Sequence, residues 1–254
     1  MRRKNAWTTY NKKQLDELEK LCKNYLKFLD KGKTERECVK QIVKQAEEKG
    51  YVNLADITKD KKALKAGDKV YSVCMDKTVA LFQIGKKKLE KGMNILGAHI
   101  DSPRMDVKQN PLYESEEFAY LDTHYYGGIK KYQWVTLPLA LHGVVVKKDG
   151  TVITVNVGED KNDPVFCVTD LLIHLAGEQM EKKANKVIEG ENLDVLVGSK
   201  PLEGKEKDAV KEGILEILKE KYDMTEEDFM SAEIEVVCLF LHLLTSQMDQ
   251  QIRA

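Results

Sequence analysis

Apolar side chains recur at helical spacing early in the chain, at Leu18, Leu21, Tyr25, Phe28 and Leu29. This spacing predicts an amphipathic helix from about Leu15, stopped by Gly32. Thr34-Glu35-Arg36-Glu37 reads as a reciprocal N-terminal cap, with Thr34 at the cap and Glu37 reaching back. A second helix follows, with Val39, Ile42, Val43 and Ala46 on one face and Gly50 just past its end. Strands are expected at Lys69 to Cys74 and Thr78 to Ile84. Met93 to Ala98 is a short apolar run after the Lys91-Gly92 turn, and it predicts a strand buried on both faces. After Pro103 the texture changes. Residues 112 to 157 are rich in Tyr, Val, Leu and Thr, in short runs between turns. Asp149-Gly150 separates Val144-Val145-Val146 from the alternating Thr151 to Val155 and marks a hairpin. Helices are expected over Asp170 to Asn185 and Glu206 to Lys221. Thr225-Glu226-Glu227-Asp228 resembles another helix start, and Glu233 to Val237 alternates as a strand.

The chain has 254 residues, of which 42 % are apolar and 33 % charged. That length suits one large domain or two modest ones. Forty-one basic residues almost balance forty-two acidic ones, for a net charge of −1. The balance argues against a globally basic nucleic-acid binder. No apolar run approaches the length of a membrane-spanning helix. The basic N-terminus lacks the apolar stretch of a secretion signal. Five scattered cysteines without a CxxC pair suit a reducing cytoplasm and exclude a cysteine zinc cluster. The expected localisation is therefore cytoplasmic, with no nucleic-acid or membrane partner.

The sharpest chemistry lies at Gly97-Ala98-His99-Ile100-Asp101-Ser102-Pro103-Arg104. Strand ends gather active-site residues in open α/β sheets. Residues two apart in a strand share a face, so His99 and Asp101 can converge. Neutral imidazole ligates zinc, and a neighbouring carboxylate can fix its tautomer and orientation. An isolated H-x-D reads first as a histidine satisfied by a local hydrogen bond at a strand-to-loop turn, and only the longer string favours the ligand reading. The longer string resembles the first metal-binding motif of the M18 family, the aspartyl aminopeptidases. The resemblance continues through Lys108 to Tyr113, Thr123 to Trp134, Pro138 to Gly143 and Asp170 to Leu175, almost to Val237.

The resemblance implies an α/β zinc-peptidase domain interrupted by a β-rich dimerisation domain. Residues 1–103 would form the N-terminal part of the peptidase domain, and 104–235 the insertion. Residues 236–254 would be a divergent tail at the start of an incomplete second peptidase half. The family's chemistry uses two zinc ions bridged by a carboxylate and a water, with a glutamate as general base. It removes an acidic or other N-terminal residue from a peptide. Carried over, His99 is a zinc ligand and Asp101 the catalytic-motif aspartate that positions it. The bridging aspartate, the glutamate pair and the last histidine of the family have no match here. Cys238 to Leu244 departs abruptly from the expected continuation.

The acid pairs Glu47-Glu48, Glu116-Glu117 and Glu226-Glu227 read as solvated structure rather than substitute ligands. His124, His142 and His174 read as structural residues of the insertion, and His242 as packing. Two function classes stay open. The first is a zinc-dependent aminopeptidase acting on peptides, incomplete and inactive in this chain alone. The second is a non-catalytic interaction fragment that retains dimerisation surfaces. Both predict a homo-oligomer that does not hold the family's zinc pair.

Overall fold

The computed structural model describes residues 4–239, and the chain divides between Asp101 and Ser102 into two compact units. His242, expected to be a packing residue, and the tail after residue 239 lie outside the described residues.

The first unit opens with two helices. Helix α1 (Lys12–Lys31) is capped by Asn11, whose side chain accepts from Gln14 N while Gln14 returns the bond. Helix α2 (Glu35–Glu48) starts at the expected Thr34–Glu37 box, and Gly50 beyond its end has a φ of +81°. A two-residue strand β1 (Val52–Asn53) leads into a short helix α3 (Leu54–Lys59). Strands β2 (Lys69–Cys74) and β3 (Thr78–Gln83) pair antiparallel, and β1 adds to β2 in parallel. Val39, Cys38 and Ala46 of α2 are buried, as are Val70 and Tyr71 of β2. This is a small core for about a hundred residues.

The second unit is a seven-stranded sheet with a large core. Its strands are β4 (Arg104–Ser115), β5 (Phe118–Tyr126), β6 (Leu139–Val146), β7 (Val152–Val157), β8 (Cys167–Val168), β9 (Val195–Gly198) and β10 (Ala232–Cys238). Their spatial order is β7-β6-β10-β4-β5-β9-β8. The last strand thus sits between β6 and β4, antiparallel to both. The β6–β7 hairpin turns at Gly150, φ +85°, with Asp149 Oδ1 accepting from Thr151 N. Met105, Leu139, Val145, Leu193, Val195 and Val236 are fully enclosed. Helix α5 (Ala209–Tyr222) packs Val210 and Ile214 onto this core.

Three expected elements form differently. Met93 to Ala98 is not a strand buried on both faces: it is irregular and exposed, with Ile95 79 % and Leu96 100 % accessible. A strand exists only through a neighbour's N–H and C=O groups, and no described residue hydrogen-bonds to the backbone of this segment. The helix expected over Asp170 to Asn185 shrinks to α4 (Gly177–Met180). Leu171, Leu172, Ile173 and Leu175 are nearly consecutive, so no single helix face could bury them. Asp170 instead holds a turn, its Oδ1 accepting from Leu171 N and Gln179 Nε2. The start at Thr225 opens a 3₁₀ helix (Glu226–Ser231) rather than an α-helix, with Asp228 Oδ2 accepting from Thr225 N.

Candidate functional site

His99 lies on the irregular stretch between the 3₁₀ turn Leu89–Lys91 and β4. The chain leaves that turn through Gly92 at φ +91°, a backbone conformation that favours glycine. His99 Nδ1 is 3.1 Å from Asp101 Oδ1 and 3.0 Å from the Asp101 carbonyl oxygen. Both partners are acceptors, so Nδ1 carries the proton and donates it. The neutral ring then presents the Nε2 lone pair outward, on a side chain 85 % exposed. This is the tautomer that a metal-binding imidazole needs, held by a carboxylate in the manner of ligating histidines.

The residues that fit a metal stop there. Among the described residues, no group of three or more His, Cys, Asp or Glu side chains is placed to hold an ion. Zinc takes about three or four protein ligands. His99 therefore suits one position of a zinc site, and the described residues do not by themselves furnish the rest.

The other histidines are placed apart from it in kind. His124 is exposed, its Nδ1 donating to the Tyr125 carbonyl at 3.0 Å, and His174 is exposed in the loop before α4. His142 is buried on β6, its Nε2 3.7 Å from Glu159 Oε1. The acid pairs serve local contacts. Glu47 accepts from the Tyr71 hydroxyl at 2.8 Å, Glu226 pairs with Lys211 at 2.6 Å and Glu227 pairs with Lys148. Glu116 and Glu117 form the exposed β4–β5 turn.

A polar row across the sheet was not anticipated. Strand register sets Asn156, His142, Glu235, Asp106 and His124 side by side on β7, β6, β10, β4 and β5. Arg104, two residues before Asp106 and on the same face, donates from Nε to Asp106 Oδ1 at 2.8 Å. Glu235 Oε2 lies 2.9 Å from that nitrogen as an ion pair, the Nε hydrogen being directed to Asp106. The guanidinium also lies 4.3 Å from the centroid of the Tyr126 ring, within cation–π range. The signal available in the sequence was the alternation Glu233-Ile234-Glu235-Val236, read against Arg104-x-Asp106.

The family model described as aminopeptidase I zinc metalloprotease (M18) matches residues 28–239. The chain belongs to the M18 family of zinc metallopeptidases. It is similar to a probable M18 family aminopeptidase 1 of Clostridium acetobutylicum, 60 % identical over 92 % of this chain and 50 % of that protein. The crystal structure of an M18 family aminopeptidase from Thermotoga maritima superposes with a TM-score of 0.87 at 46 % identity, over 94 % of this chain and 51 % of that one. Aminopeptidase I from Clostridium acetobutylicum gives a TM-score of 0.83 at 58 % identity, over 94 % and 53 %. The chain spans about half the length of the curated relatives it matches. Among the described residues, no helix is long and apolar enough to cross a membrane.

Proposed function

We propose that this chain contributes the His99–Asp101 element of a zinc aminopeptidase that removes acidic or other N-terminal residues from peptides. In this reading His99 Nε2 binds zinc, and Asp101 holds the ring in the binding tautomer. The observation that carries it is the Nδ1–Asp101 contact of 3.1 Å, with Nε2 left outward. Zinc would polarise a peptide carbonyl and acidify a bound water. The ligand set among the described residues is too small for that chemistry, so the chain alone is proposed to be inactive. Residues 104–235 are proposed to form a dimerisation domain, and the scattered free thiols suit a cytoplasmic setting.

Metal analysis after dialysis, beside an assay with an N-terminal aspartyl peptide, tests this. Fewer than two zincs per chain and no turnover are expected, with or without added zinc or manganese. Two retained zincs, or metal-dependent release of aspartate that disappears in His99→Ala, would overturn it.

A further inference from the structure

The whole-chain charge of −1 is an average over two units of opposite sign. Residues 1–101 hold 24 Lys and Arg against 14 Asp and Glu, and residues 102–240 hold 16 against 27. Charge segregated between the halves of a chain points to an anionic surface or polymer as partner of the basic half. The fold gathers part of that excess in one place. Strands β2 and β3 pair from Cys74 and Thr78 at their turn to Lys69 and Gln83 at their open end. Just beyond that end, Gly67 N donates to the Ile84 carbonyl and Ile84 N to the Asp68 carbonyl, both at 2.8 Å. Segments 59–69 and 84–92 therefore meet there, with nine lysines against three carboxylates. Asp60 pairs with Lys62 at 2.7 Å, and Asp68 accepts from Lys65 N at 2.8 Å. Lys61, Lys65, Lys86, Lys87, Lys88 and Lys91 are exposed, and their ammonium groups form no ion pair among the described residues. Two leucines stand among them. Leu89 opens the 3₁₀ turn after Lys88 and is 71 % exposed, and Leu64 precedes Lys65 and is 37 % exposed.

We infer that this lysine- and leucine-bearing end of the β2–β3 hairpin is a docking surface for an anionic lipid bilayer. Each lysine held near such a surface favours the bound state roughly fivefold. An exposed leucine gains by entering the boundary between headgroups and acyl chains. The side chains select lipid over nucleic acid. Residues 61–65 and 86–91 contain no aromatic ring on which a base could stack, and no arginine fork for phosphate or guanine. Lysine suffices for the diffuse potential of a lipid surface, and a leucine has no use against a phosphate backbone. The charge balance that argues against such a partner for the whole chain does not hold for this unit.

The test is co-sedimentation of the full 254-residue chain with vesicles of phosphatidylcholine, alone or with about 30 % phosphatidylglycerol. Binding is expected to the anionic vesicles only, and it should weaken as added salt shortens the Debye length. The triple variant Lys86→Gln, Lys87→Gln, Lys88→Gln should bind them about 100-fold more weakly. Leu89→Ser should lose about 10-fold. The control Lys27→Gln, Lys31→Gln, Lys40→Gln removes the same charge from α1 and α2 near the opposite end of the hairpin, where Arg36 donates to the Met75 carbonyl. That end is roughly 20 Å away, the length of a six-residue strand and about twice the Debye length, so the control should stay within about 3-fold of the parent. All the changed side chains are exposed, and each variant should keep the parent's urea midpoint. Failure to bind anionic vesicles, equal binding to neutral ones, or equal losses in the two triple variants would overturn the inference. So would vesicle binding that Leu89→Ser leaves unchanged. Retention of a duplex RNA that depends on Lys86 to Lys88, without vesicle binding, would name a nucleic acid as the occupant and overturn it as well.

Discussion

Arg104 and Glu235 bring together the first and last strands of the second unit, guanidinium nitrogen to carboxylate oxygen at 2.9 Å, both side chains almost fully buried. Asp106 shares the same nitrogen at 2.8 Å. Two carboxylates on adjacent strands thus meet one cation, and that cation lets β10 insert beside β4. A buried carboxylate facing another without a counter-charge is strongly unfavourable.

Arg104→Ala should therefore destabilise the second unit by about 3–5 kcal/mol, the cost of stranding buried charge. Urea unfolding followed by fluorescence measures it. The pair Arg104→Met and Glu235→Gln should cost less together than the sum of the single changes, because the double variant leaves less uncompensated charge. Strict additivity would refute the coupling.

Glu116 and Glu117 adopt φ values of +49° and +63° in the two-residue turn between β4 and β5. Left-handed backbone at two consecutive non-glycine residues is strained, and Asn-Gly is the natural occupant of such a turn. Glu116→Asn with Glu117→Gly should stabilise the unit by about 1 kcal/mol. A fall in urea midpoint would show that the two glutamates are held by something other than the turn.

Gly143 on β6 sits against the backbone of Glu233 and Ile234 on β10, where an added Cβ would collide with the Glu233 carbonyl. Backbone cannot swing aside as a side-chain tip can. Gly143→Ala should cost roughly 2–3 kcal/mol, as overpacking does. Gly128→Ala, with open space around it, serves as the control and should unfold near the parent midpoint.

The Tyr113 hydroxyl donates to Asp194 Oδ2 at 2.5 Å. Partial desolvation, then that hydrogen bond and the charge of Asp194, push the phenol above its ordinary range. A raised folded-state value means the contribution is complete below the unfolded value of about 10 and is lost as the pH climbs through the folded one. Alkaline absorbance titration should show late-ionising tyrosines, Tyr71 and Tyr222 among them, and the latest of these steps should be missing in Tyr113→Phe. Between neutrality and pH ~10 the stability increment from Tyr113 should be flat.

Local signals were legible because their physics is local. The box at Thr34–Glu37, the break at Gly32 and the Asp149-Gly150 hairpin each depend on residues within a few positions. The same holds for the 3.1 Å approach of His99 to Asp101, two residues apart, although its use as a metal ligand remains a proposal. The strand at Glu233 to Val237 was visible from its alternation, but its place between β6 and β4 was not.

By itself, the sequence determined the caps, the turns, the periodic helices α1, α2 and α5, and the pairing of His99 with Asp101. Tertiary structure decided what non-local neighbours decide. Glu235 is one position of an alternating strand until β4 delivers Arg104 beside it, about 130 positions away in sequence. Met93 to Ala98 reads as an interior strand because apolar composition records what a segment should bury, whereas strand pairing requires a partner backbone. Leu171 to Leu175 reads as helix because composition counts apolar residues, while a helix needs them on one face. A polar row across five strands exists only once register is set, and register is a property of the assembled sheet.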